Sequence, residues 1–128
     1  MVERVIKDQI DKLNRNQPII LNKIGRLIQG FFTDSFKNKG FTNESFEPWA
    51  EQRHNYGNSL MDRTGRLKNS IRYTINENEI TITSDVDYAS YLNDGTDKMV
   101  AREFIGESAI LNNMIENIVD EYIEMLNN

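Results

Sequence analysis

Over residues 19–36 the apolar side chains recur at three- and four-residue steps, with Ile20, Ile24, Leu27, Ile28 and Phe31 in line and Ser35 or Phe36 closing the series. That spacing predicts a long helix, ending before Gly40, whose apolar stripe must be buried against another layer. A second stripe of Leu111, Met114, Ile115, Ile118, Val119, Tyr122, Ile123 and Leu126 predicts a C-terminal helix with the same need. The fold is therefore set by what these two helices cover.

The segment between them supplies a sheet. Leu67, Ile71, Tyr73 and Ile75 alternate with Lys68, Arg72 and Thr74, the period of two that predicts a strand, with Thr64-Gly65 as the turn that lets it begin. Ile80 and Ile82 alternate with Thr81 and Thr83, so the two runs should form a hairpin about Asn76-Glu77-Asn78. Val86, Tyr88, Ala89, Tyr91 and Leu92 suit a short helix stopped by Asn93-Asp94-Gly95, and a brief strand or extended piece should follow at Phe104 and Ile105. At the N-terminus Ile6, Ile10 and Leu13 stand at helical spacing, predicting a first helix broken by the turn-forming residues at 14–18. The expected fold class is α+β. A small antiparallel sheet, a hairpin plus a short strand, packs against the long helix and the C-terminal helix in a single domain over 1–128.

Residues 39–64 lack periodicity, and Gly40, Asn43, Pro48, Gly57 and Asn58 break them repeatedly, which predicts a long, mobile loop. Phe41, Phe46, Trp49 and Tyr56 make that loop unusually aromatic. Either these rings fold back on the core or they wait for a partner.

Composition narrows the function. A chain of 128 residues holds one core of ordinary size, and its net charge of −5, without a Lys/Arg-rich run, argues against nucleic acid as the main partner. No cysteine is present, which removes disulfides and thiolate metal sites, and no apolar run approaches the ~18 residues of a membrane span. The amphipathic N-terminus is unlike a signal peptide. His54, the single histidine, is too little for a zinc site or a nucleophile relay and is expected as an exposed loop residue. Asp85-Val86-Asp87 suggests the paired acids of phosphate-transferring hydrolases, and with Asp94 and Asp97 a calcium loop. The first needs a larger parallel α/β domain and the second a Gly and a terminal Glu that are missing, so solvated turns are expected. No catalytic residue, metal, cofactor or small-molecule substrate is assigned. Arg63, Arg66, Lys68 and Arg72 form the one basic cluster, suited to a solvated face or to an acidic neighbouring subunit.

Taken in order, Phe46-x-Pro48-Trp49, then Leu60-x-x-x-Thr64-Gly65-x-Leu67-x-x-Ser70-Ile71, then Asp87-Tyr88-Ala89, then Ala101-Arg102-x-Phe104-Ile105-Gly106 resemble the phage virion-morphogenesis family, which includes the Mu-like G protein and tail-completion proteins. The likeness spans residues 31–118. Tyr88-Ala89 followed by Gly95-Thr96 is similar also to the lambdoid head–tail joining proteins. The resemblance implies a non-catalytic α+β protein of the virion, present in the host cytoplasm during assembly. It would form a ring-type homo-oligomer at the neck or tail terminus and contact head-connector or tail proteins. On that reading Phe46, Trp49, Tyr56, Arg63, Arg66 and Arg72 are interface candidates, and Trp49→Ala should spare the isolated fold while impairing assembly. Thr64, Gly65, Leu67, Tyr88, Ala89, Gly95, Arg102 and Phe104 would be structural, with Arg102 and Phe104 anchoring the sheet to the last helix. A small host-encoded adaptor or regulatory binding module, using the same aromatic loop, is the alternative.

Overall fold

A computed structural model describes residues 2–13, 18–50, 64–98 and 100–127. The protein is α+β, as expected, with antiparallel sheets, a long helix in the N-terminal half and a C-terminal helix. Helix α1 runs Pro18–Asn38. Proline suits its first position, where no intrahelical partner exists for the missing N–H. Ile20, Leu21, Ile24, Ile28 and Phe32 are buried on its inner face.

The main sheet has three strands, β1 (Val2–Ile6), β4 (Arg72–Asn76) and β5 (Glu79–Ser84), in the order β1-β5-β4, all antiparallel. The β4–β5 hairpin closes on Glu77 and Asn78, with Asn76 opposite Glu79. Ile80, Ile82 and Ser84 point inward, opposite Tyr73, Ile75, Val2 and Ile6. Glu3, Val5, Arg72, Thr74 and Asn76 are exposed on the opposite face, which no described element covers.

Two expectations fail here. The N-terminal segment is a strand followed by 3₁₀ turns, not a helix. Val2 and Ile6 enter the sheet, and the turns closed by Ile10 N–H to the Lys7 carbonyl and Leu13 N–H to the Ile10 carbonyl bring Ile10 and Leu13 to the core in steps of three. The segment from Thr64 is also misread: it forms helix α2, Thr64–Ser70, and the strand starts only at Arg72. Leu67 and Ile71 are four apart and both buried, a spacing that satisfies a helix as well as an alternating strand. Thr64-Gly65 therefore opens a helix rather than a strand.

The expected 39–64 loop is in part a second, two-stranded sheet. Strands β2 (Gly40–Thr42) and β3 (Phe46–Pro48) pair antiparallel around Asn43, Glu44 and Ser45. Residues 51–63 lie outside those described. Helix α3 spans Ala89–Asp94 and ends on Gly95 at φ 78°, the left-handed region that favours glycine. Helix α4 spans Ala109–Leu126 and buries Leu111, Ile115 and Val119 against the 3₁₀ turn and α1. Met114 and Leu126, counted in its apolar stripe, are exposed. One core cluster draws on β1, α1, the main sheet and α4. Phe104 and Ile105 are buried in it without forming a strand.

Candidate functional site

Phe36 in the last turn of α1 is the pivot of an aromatic group. Its ring meets Trp49 edge-on at 5.6 Å and Phe104 at 5.1 Å, while Phe32 stacks on Phe41 at 6.2 Å. Pairs in these geometries add about 0.5–1.5 kcal/mol beyond the area they bury. Polar bonds fix the same junction. Trp49 donates its indole N–H to the Glu103 carbonyl at 2.9 Å and its backbone N–H to the Lys39 carbonyl at 2.8 Å. The buried Arg102 guanidinium donates from Nε and Nη2 to the Ala50 carbonyl at 3.2 and 3.0 Å, and the Arg102 N–H bonds the Leu92 carbonyl at 2.7 Å.

Asn93 does for residues 104 and 105 what a neighbouring strand would. Its Oδ1 accepts from the Phe104 and Ile105 N–H groups at 2.9 and 3.0 Å, and its Nδ2 donates to the Ile105 carbonyl at 3.0 Å. A buried segment without ladder partners thus has both N–H groups and the Ile105 carbonyl bonded. Asn43, at the tip of the β2–β3 hairpin, caps α4 from outside: Oδ1 takes the Ala109 N–H and the carbonyl takes the Ile110 N–H. Ser108 takes the next two, Leu111 N–H on Oγ and Asn112 N–H on its carbonyl. The open N–H groups of the first three helical residues are thus all bonded, and Asn112 makes the first regular bond of the helix.

Beside the junction lies an open depression of about 610 Å³, walled by Phe41, Pro48, Trp49, Ala50, Val100 and Ala101. Glu47, Asp94 and Glu103 carry its charge, and Asn93 completes the lining. Burial, then the neighbouring charges of Glu47 and Asp94, push the Glu103 carboxyl above its ordinary range, with Arg4 acting the other way. The Glu103 carboxyl also occupies the space a side chain at 106 would need, lying 2.7 Å from where a Cβ on Gly106 would stand.

The sequence-derived candidates scatter. Trp49, Arg102 and Phe104 meet in the junction, with Ala89 buried beside them in α3 and Tyr88 half-buried at its start. Trp49 and Phe41 fold back on the core; Phe46 remains 47% exposed, its ring over Gly40 on the paired strand. Arg66, Lys68 and Arg72 are exposed on α2 and β4, while Leu67 is buried. Tyr56, Arg63 and His54 lie outside the described residues. Asp85, Asp87, Asp94 and Asp97 are exposed, and among the described residues no three His, Cys, Asp or Glu gather closely enough to hold a metal ion. No described helix is long and apolar enough to cross a membrane. Sequence reasoning missed Asn93, Asn43, Glu47 and Glu103. In sequence Asn93 and Asn43 look only like breakers of regular structure. No protein-family model, curated protein or solved structure matches the chain.

Proposed function

We propose that the chain is a phage or prophage structural protein that acts in tail completion or head–tail joining, oligomerising at the neck or tail terminus. The observation that carries this reading is the convergence of the resemblance-bearing segments. Phe46-x-Pro48-Trp49, Tyr88-Ala89 with the helix it opens, and Ala101-Arg102-x-Phe104-Ile105-Gly106 are far apart in sequence. In space they are tied into one junction by Trp49 to Glu103, Arg102 to Ala50 and Arg102 to Leu92. Short motifs that keep order along a chain and also bond to one another belong to one structural unit. That supports a likeness of fold over chance recurrence of common residues.

The reading assigns no catalysis, cofactor or small-molecule substrate. Its partners are further copies of the chain and head-connector or tail proteins, in the virion and, during assembly, in the host cytoplasm. Exposed features that could serve those contacts include Phe46 and the basic α2–β4 strip. The test is deletion of the gene from the phage or prophage that carries it, with electron microscopy of the lysate and a complemented control. Filled heads beside separate tails, or tails of aberrant length, are the expected result. Normal infectious virions would overturn the reading and put the adaptor in its place.

A further inference from the structure

The depression beside Trp49 and the basic strip on α2 and β4 sit toward opposite edges of the main sheet. Helix α3, which carries Asp94, packs against β1, and Arg4 of β1 is ion-paired at 2.6 Å with Glu107, four residues after Glu103 of the depression. Arg72 lies on β4, the other edge strand, and Arg66 and Lys68 precede it on α2. Among the described residues Arg66, Lys68, Arg72, Glu47, Asp94 and Glu103 form no ion pair. The depression also exposes apolar surface, with Val100 62% accessible beside Pro48 and Trp49. An apolar hollow rimmed by acids suits a long basic side chain, whose methylenes pack on the wall while its charge reaches the rim.

We propose that copies of this chain associate head to tail, the Arg66–Lys68–Arg72 strip of one copy entering the acid-rimmed depression between Trp49 and Val100 of the next. This rests on the assembly reading and gives it a contact. Two different surfaces meet, so the interface is heterologous and an open assembly keeps one free strip and one free depression at its ends, the arrangement that builds a ring when the rotation closes. Opposite charges speed encounter and fix register, and Glu47, Asp94 and Glu103 at the rim would face the partner's Arg and Lys side chains.

The test is sedimentation velocity on the full chain at ~20 and ~300 mM salt, where screening differs most. Three further proteins are compared: Glu47→Lys with Asp94→Lys, Lys68→Glu with Arg72→Glu, and all four changes together. Circular dichroism checks that each is folded, with Glu47→Lys alone in reserve. The wild type should form higher species that weaken at high salt, and each two-site variant should associate roughly tenfold more weakly or not at all. Mixed one to one, the two variants have complementary faces again, one contact with the original charges and one with them exchanged, and should regain higher species that neither forms alone. The four-site protein should regain higher species. A wild type that stays monomeric overturns the self-contact and leaves the depression to a different basic partner. Association unaffected by the changes, or a mixture behaving as its two components do alone, overturns the proposed faces. In each case the assembly reading stands or falls separately on the deletion phenotype.

Discussion

Gly25 and Gly30 occupy the same helix and answer to different surroundings. A Cβ on Gly25 would stand 2.5 Å from the Tyr73 ring, whose hydroxyl donates to the Asn22 side chain, whereas a Cβ on Gly30 would meet nothing within 4 Å. Glycine costs about 1 kcal/mol against alanine inside a helix. Gly30→Ala should therefore gain about 0.5–1 kcal/mol in urea unfolding, and Gly25→Ala should lose roughly 1–3 kcal/mol despite its better propensity, because α1 must lift off β4. Glu103 gives a pH signature. Its carboxyl is raised by burial and by Glu47 and Asp94, so the folded chain holds that proton more tightly than the unfolded one. Stability from this group rises as pH falls through its raised folded value toward the ordinary carboxylate range. Glu107, held below that range by the Asn112 and Arg4 hydrogen bonds, loses its contribution only at lower pH, as its own depressed value is passed. Glu103→Gln should raise the urea midpoint at pH 7 and flatten its change between pH 7 and the ordinary carboxylate range. An unchanged slope would refute the assignment. Residues such as Phe104 and Leu67 were legible in the sequence because burial follows from hydrophobicity. Asn93 was not, because an asparagine that completes a backbone ladder looks the same as one that ends a helix.

Elements were legible where one period held over many residues, as in α1, α4 and the β4–β5 hairpin. They failed where a short apolar series fitted two periods. Ile6, Ile10 and Leu13 suit a helix face, yet Ile6 pairs with Ile80 in the sheet and the other two follow on 3₁₀ turns. Leu67 and Ile71 failed in the opposite direction. The β2–β3 hairpin was hidden because its register depends on Phe46 covering Gly40, a contact that hydropathy does not carry. Here the structure also changes an expected outcome. Trp49 closes this hairpin onto Phe36 and Glu103, so Trp49→Ala should cost the isolated chain about 2–3 kcal/mol, somewhat less than a fully buried aromatic because the ring is only half-buried. Thermal or urea unfolding of the monomer decides this; a loss below ~0.5 kcal/mol would return Trp49 to the list of surface anchors.

At the scale of the whole molecule, the two helices and the sheet make a frame, and the features left for partners lie outside it: an exposed outer sheet face, Phe46, a basic strip and an acid-rimmed hollow. Nothing in the hydropathy pattern could bring Glu47, Asp94 and Glu103 together, since they come from a hairpin, a helix end and an irregular segment. The basic strip, by contrast, was visible at once because it is contiguous in sequence. On the proposed reading, this frame presents those surfaces to neighbouring subunits of the virion. The most direct measurement of that claim is immunogold labelling of purified particles from the phage or prophage that carries the gene. The account predicts gold confined to the neck or the tail terminus. Particles that are complete and infectious yet carry no label anywhere would contradict it.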